Sequence, residues 1–379
     1  MSTPDVVVVG GGAIGLSIAW RSRQRGLEVA VVDERFGHGA SWAAGGMLAP
    51  VTEVHYGEEA VLDLNLESSR RYPRFAEELA AASDRDVGYR QSGTLIVAPD
   101  GDDFAALSDL FAFQQRLGLD VRKLKPSEAR AIEPALAPSI RGAFFVEGDH
   151  HIDNRLLVAA LEAACRRSGA RLIEGVVAEV TTSASRATGV RLEGGTAIDA
   201  GAVVLAAGSW SGRIAGIPER ARPPIRPVKG QLLYLKGSES APLVTRSVRG
   251  LDVYIVPRTD GRIVVGATME EKDFDDTITA DAVYTLLRDA YELLPGLREL
   301  ELLELVVGFR PGSPDNAPLL GTSALEGLVI ASGHYRNGIL LTPVTADEIA
   351  HLLATGETSD MIAPFTPTRF AAASMEATV

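Results

Sequence analysis

Asp5-Val6-Val7-Val8-Val9 runs directly into Gly10-Gly11-Gly12-Ala13-Ile14-Gly15. Four consecutive valines with no polar alternation describe a strand covered on both faces. The glycines behind them describe a tight turn that opens a helix, and a helix N-terminus placed this way can hold a dinucleotide pyrophosphate. Helical spacing continues over 13–25, with Ile14 and Ile18 on one side, and Gly26 ends the helix. Glu28–Asp33 reads as the second strand of a β-α-β unit. In such a unit Gly10 allows the turn, Gly12 admits the pyrophosphate, and Gly15 lets helix and strand pack closely. Asp33 follows Gly15 by 18 residues, at the strand's end, where a carboxylate can accept from ribose hydroxyls. Its neighbour Glu34 could substitute. The unit alone does not separate NAD from FAD.

A second glycine segment stands at the far end: Gly333-His334-Tyr335-Arg336-Asn337-Gly338-Ile339-Leu340-Leu341-Thr342-Pro343. It reads as a strand over Leu328–Ala331, a loop, and a helix over 339–354. A nicotinamide enzyme needs only the first segment, whereas a chain wrapped around a large, permanently held flavin could use both. A helix starting near Gly338 would aim free backbone N–H groups at a ligand that gains negative charge, as a reduced flavin does. Between the two segments, Gly39–Pro50 is small and apolar, which suits a backbone lying against a cofactor better than a solvated loop.

At 379 residues the chain is long for one domain, and two are expected. A net charge of −13, with no Lys/Arg run longer than two, argues against a nucleic-acid partner. The single cysteine, Cys165, excludes an internal disulfide. His150 and His151 are adjacent, so their side chains diverge, and no metal is expected. There is no run of 18 apolar residues, hence no expected membrane span. The first apolar strand starts at residue 5, leaving no room for a cleavable signal peptide, and a cytoplasmic location is expected.

Further along, helices are expected over 58–82, 102–118, a short stretch opened by Pro126-Ser127-Glu128, 154–168 with Asp153 as N-cap, and 280–294. Strands are expected over 94–98, 171–180, 188–193, 202–206, 231–235, 252–257, 262–267 and 301–309. A turn at Asp260-Gly261 makes 252–257 and 262–267 a hairpin. Parallel-type β-α units at the start, middle and end alternate with antiparallel stretches. The expected class is α/β (α+β): a Rossmann-like dinucleotide-binding domain from 1–88, 148–216 and 306–370, interleaved with an antiparallel-sheet substrate domain from 89–147 and 217–305. Residues 371–379 form an irregular tail.

Two features point to the substrate. Tyr254-Ile255-Val256-Pro257-Arg258 lies on a strand; Tyr254 could present its hydroxyl to a ligand or be an ordinary core tyrosine. Gly308-Phe309-Arg310-Pro311 ends an apolar strand, so Arg310 projects from the sheet's end, where a guanidinium can grip a carboxylate through two parallel hydrogen bonds. Arg336 is a second candidate. His334 is read as structural or cofactor-contacting rather than as a base.

Together with Ser41–Leu48, Gly266-Ala267-Thr268-Met269 and Gly333–Leu341, these pieces resemble the D-amino-acid-oxidase-like flavoproteins, and within them the bacterial glycine oxidase (ThiO-type) group. The likeness spans nearly the whole chain. It implies non-covalent FAD and a small amino-acid substrate, with O2 as acceptor. The implied reaction is oxidative deamination of glycine, sarcosine or a small D-amino acid by hydride transfer from the α-carbon to flavin N5. An imine results, then a keto acid, ammonia and H2O2, with a place in thiamine thiazole synthesis.

By this likeness Arg310 grips the carboxylate, Tyr254 and Met269 line the pocket, and Arg336 lies near substrate and flavin. The cofactor set comprises Gly10, Gly12, Ala13, Ile14, Gly15, Asp33, Glu34, Ser41, Ala43, Ala44, Gly45, Gly46, Met47, Val177, Gly208, Arg336, Asn337, Gly338, Ile339 and Leu340. A homo-oligomer is expected. Some relatives carry more basic or aromatic residues where Asp252 and Val253 stand, so substrate preference is less fixed than reaction class. Cys165, in a mid-chain helix, reads as a packing residue and not as a flavin attachment point. Alternatives are an O2-independent dehydrogenase of the same fold, a nicotinamide dehydrogenase, and a non-catalytic flavin-binding subunit.

Overall fold

The computed structural model describes residues 3–370. The tail at 371–379 lies outside them. Val6–Val9 is fully buried and central in a six-stranded sheet, hydrogen-bonded in parallel to Val29–Asp33 on one side and Ala202–Leu205 on the other. Arg171–Glu174 continues the sheet beyond Val29–Asp33, Leu328–Ser332 continues it beyond Ala202–Leu205, and Leu319–Thr322 closes that side antiparallel. Helices Ala13–Gln24, Leu62–Ser83, Asn154–Arg167 and Thr342–Thr355 bury one face of this sheet. A three-stranded antiparallel sheet, Val177–Ser183, Arg186–Leu192 and Ala197–Asp199, contributes to the core on the other. The unalternated valines are thus apolar on both sides because both sides are covered.

A second sheet of eight strands runs in the order Glu301–Gly312, Arg226–Lys236, Arg262–Gly266, Tyr254–Pro257, Ser247–Arg249, Thr94–Ala98, Gly142–Val146, Arg122–Leu124. All its pairs are antiparallel except Ser247–Arg249 with Thr94–Ala98. One face packs on the amphipathic helix Ala280–Leu293, N-capped by Thr279. The other face turns Leu232, Tyr234, Val256, Val264 and Val306 toward Trp42, Ala43 and Met47 of the glycine-rich loop. The expected hairpin is present, with Gly261 in the left-handed region at φ 81°.

Several expectations are corrected. Residues 171–180 are not one strand: Arg171–Glu174 belongs to the parallel sheet and Val177–Ser183 to the small antiparallel one, with Gly175 and Val176 between. The strands Arg122–Leu124, Gly142–Val146, Ala197–Asp199, Ser247–Arg249 and Leu319–Thr322 carry too little alternation to be read from sequence. The last long helix begins at Thr342 and not at 339. Pro343 sits in its first turn, where its missing N–H is tolerated, and the residues before it form a separate 3-10 turn at Tyr335–Asn337.

Buried polar groups join the glycine-rich loop to the large sheet. Arg258, 6% exposed, donates from Nη2 to the Gly45 carbonyl at 2.8 Å and to Asn154 Oδ1 at 2.9 Å. Asn154 Nδ2 in turn donates to the carbonyls of Ser41 and Trp42 at 2.8 and 3.0 Å. Asp153 accepts from Arg262 Nη2 at 2.8 Å, lies 3.6 Å from Arg258 Nε, and caps the helix Asn154–Arg167 as expected. Removing one partner of a buried charged network costs more than the network contributes, because the survivors stay desolvated. Arg258→Met is therefore expected to lower the unfolding free energy by about 3–5 kcal/mol, read by chemical denaturation. A change under 1 kcal/mol would contradict this role for Arg258.

Candidate functional site

The loop and the two sheets enclose a cavity of about 740 Å³. At one end the glycine turn has the close packing that the sequence suggests. Gly10 has φ 108°, and a Cβ there would sit 2.4 Å from the Ala206 carbonyl oxygen. A Cβ on Gly15 would sit 1.9 Å from the Gly10 carbonyl oxygen, so Gly15 serves helix packing and does not line the cavity. Gly12, Ala13 and Ile14 do line it. Ser41 Oγ accepts from the Ala13 N–H at 3.0 Å, tying the loop to the helix start. Ala43, Ala44, Gly45, Gly46, Met47, Val177, Gly208, Asn337, Gly338 and Ile339 complete the predicted residues found in the wall.

Asp33 is also in the wall, and its carboxylate braces the glycine turn, accepting from the Gly11 N–H at 2.6 Å and the Arg35 N–H at 2.7 Å. Glu34, exposed and in the wall, forms no ion pair among the described residues. Leu340 does not face the cavity: it is 2% exposed in the apolar core, and its carbonyl accepts from Ser68 Oγ at 2.6 Å. Cys165 is likewise remote, its Sγ 3.1 Å from the Leu16 carbonyl and its thiol pushed up to about 12 by burial.

The far end rests on the eight-stranded sheet. Arg310 donates from Nη1 to the Thr268 carbonyl at 3.0 Å and forms no ion pair among the described residues. Its guanidinium lies over Gly230, where a Cβ would meet Nη1 at 2.4 Å. Tyr254 lies over Gly266 and against Gly45, where Cβ atoms would come within 2.5 and 2.6 Å of the ring. Burial pushes its hydroxyl up to about 12, so it stays protonated and can donate. Met269 is 60% exposed at the cavity mouth, its Sδ 3.0 Å from the Tyr335 hydroxyl.

Arg336 lines the cavity but is not a free cation, which corrects its reading as a second carboxylate grip. It is ion-paired with Glu58, and its Nε is 3.7 Å from Glu53. Glu53 also pairs with Arg249. Burial works to raise the Glu53 pKa, but Arg249 and Arg336 together hold it below its usual value. Burial and then Arg336 hold His55 below its usual value, and hence neutral at pH 7. Glu53, His55 and Arg249 all line the cavity and were not singled out from the sequence. The one available signal was charge inside an otherwise apolar run at Val51-Thr52-Glu53-Val54. His334 is fully buried, Nε2 3.0 Å from Thr345 Oγ1, and burial pulls its pKa down to about 3; it is a neutral structural histidine.

Comparison with known proteins follows this geometry. A model of the DAO family, described as FAD dependent oxidoreductase, matches residues 5–352. "Bifunctional protein ThiO/ThiG" of Synechocystis sp. is 35% identical over 97% of this chain and 54% of its own length. The chain thus spans about half the length of the first curated relatives it matches. A "Glycine oxidase" of Geobacillus kaustophilus is 35% identical over 96% of this chain and 97% of the relative. The crystal structure of glycine oxidase from that organism superposes with a TM-score of 0.88 at 33% identity, covering 97% of this chain and 99% of that one.

Two outcomes are expected of these groups. Gly12→Val would place branched carbons where a single Cβ already comes within 3.0 Å of Ser41 Oγ, and the purified variant should lack the visible absorbance of bound flavin. The second concerns acid stability. Below its ordinary value of 6.5, His334 gains a proton only on unfolding, so it lowers stability as pH falls from 6.5 toward 3, by up to about 1.4 kcal/mol per unit. Buried His151, pulled down to about 3, acts the same way. Buried Asp149, raised to about 7, acts oppositely, so the readout is a difference. His334→Gln should show a shallower loss of unfolding free energy between pH 6.5 and 4 than the parent; an identical slope refutes it.

Proposed function

We propose that this chain, which belongs to the DAO family of FAD-dependent oxidoreductases, oxidises a small amino acid at its α-carbon to an imine. The imine hydrolyses to a keto acid and ammonia, and the electrons pass to O2, giving H2O2. The observation that carries this reading is Arg310: a guanidinium with no acidic partner among the described residues, near the half-buried Tyr254, in the cavity that the glycine turn also lines. An unpaired cation in such a wall is suited to a carboxylate, which it binds through charge-assisted hydrogen bonds.

The wall fits FAD. Gly10, Gly12, Gly45, Gly46, Gly208 and Gly338 leave much of the wall without side chains, and Glu34 would be free for a ribose. Gly10, Gly12, Ala13 and Ile14 would hold the pyrophosphate, Ser41–Met47 and Asn337–Ile339 the ring system, and Val177 and Gly208 the adenosine side. Bound there, FAD supplies the acceptor for the hydride equivalent leaving the substrate. The protein's own part is positional. Arg310 fixes the carboxylate and Tyr254 donates a hydrogen bond, so the Cα–H has one orientation; positioning of this kind can lower a barrier by several kcal/mol. Tyr254, packed on two glycines, also excludes water. No protein base is assigned: His334 is buried with Nε2 3.0 Å from Thr345 Oγ1, and a substrate bound with a neutral amine needs none. Glycine is the proposed simplest substrate, and its imine is suited to assembly of the thiamine thiazole ring.

Peroxide release by the yellow protein from glycine, sarcosine and D-proline tests the reading. Electron flow into a dye with no peroxide would replace the oxidase by a dehydrogenase. Arg310→Ala should lower kcat/KM roughly a hundredfold, since two charged hydrogen bonds are worth about 3 kcal/mol, while the flavin spectrum stays. Unaltered glycine turnover in that variant would remove Arg310 from the site.

A further inference from the structure

A second guanidinium stands at the substrate end with no role so far. Arg249 is the direct cross-strand partner of Tyr254, so their side chains leave the same face of the eight-stranded sheet, about 5 Å apart at Cβ. Across the sheet, Tyr254 pairs with Gly266, Gly266 with Leu232, and Leu232 with Val306. Gly230 and Arg310 are even steps along from Leu232 and Val306, hence on that face as well. Arg310 lies over Gly230 and the Tyr254 ring over Gly266. Tyr254 therefore stands between two guanidiniums, and all three residues line the cavity.

Arg249 is held in place but not used up. Its Nη1 is ion-paired with Glu53 and donates to the Thr52 carbonyl at 3.0 Å, and its Nε reaches the Gly250 carbonyl at 3.4 Å. Nη2 makes no hydrogen bond among the described residues. Glu53 is shared between Arg249 and Arg336, so it does not saturate the Arg249 guanidinium.

We propose that Arg249 is a specificity-determining residue that accepts a second carboxylate, so that the preferred substrate is a small amino acid with two acidic groups, one on Arg310 and one on Arg249. This rests on the amino-acid oxidation proposed above and names the substrate class within it. Glu53 is the positioning residue that orients Arg249.

The test uses the flavin-loaded protein and two ligands without an oxidisable amine: diglycolate, with two carboxylates, and methoxyacetate, with one. Calorimetry on the parent should find diglycolate at least tenfold tighter. That ratio should fall near one in Arg249→Met and be partly kept in Arg249→Lys, with flavin absorbance confirming that each variant is folded and loaded. A parent ratio near one, or a ratio that survives Arg249→Met, overturns the proposal. Turnover separates the two readings. The kcat/KM of N-carboxymethylglycine relative to sarcosine should drop about tenfold in Arg249→Met. Glycine oxidation with an affinity ratio near one sinks only the second-carboxylate site. A high ratio with no amino acid oxidised sinks only the proposed reaction.

Discussion

The site depends on a guanidinium that does not line the cavity. Arg258 is buried between the large sheet and the glycine-rich loop, and its Nη2 holds a loop carbonyl and the Asn154 side chain together. Asn154 holds two more loop carbonyls. Burial lowers the Arg258 pKa, and nearby Asp153 offsets that effect. A loop of Gly, Ala and Ser has few side chains with which to fix itself, so its shape is imposed through main-chain acceptors. Nearby, Arg155 lies between the rings of Trp42 and Tyr234, 4.0 and 4.1 Å from their centroids, and pairs with Glu304 at 2.8 Å. The glycine-rich loop and the large sheet are thereby tied to one another, a precondition for holding a reacting carbon in a single orientation.

Charge along the cavity is graded. Glu53 stands between Arg249 and Arg336 and stays ionised in spite of its burial. Arg310, by contrast, leans on main-chain carbonyls that carry no net charge. Of Arg249, Arg310 and Arg336, Arg310 alone forms no ion pair among the described residues, which is why it is the proposed anion site.

Local pattern made the β-α-β unit legible. Four valines, three spaced glycines, a helix and a terminal acid lie within one short segment, and the structure follows them. The Asp153 cap and the Asp260-Gly261 turn were legible for the same reason. Missed features are those that depend on distant partners. The Gly142–Val146 strand is short, apolar and without period, and it exists because Thr94–Ala98 and Arg122–Leu124 flank it. Arg336 read as a free cation because Glu58, its partner, is 278 residues away. The bond from the Gly11 N–H to Asp33 gave no sign in the sequence because it needs the turn already folded. Arg249 and Glu53 gave no sign of facing each other until strand register and loop were in place.

That bracing by Asp33 also limits how the nucleotide preference of this chain can be redesigned. In a dinucleotide fold the acid closing the second strand is the natural handle for exchanging one cofactor for another. Here that handle is also a strut, so altering it would slacken the glycine turn as well as any recognition. Cofactor engineering would have to begin one residue later, at Glu34, where a side chain can be swapped without disturbing the scaffold beneath.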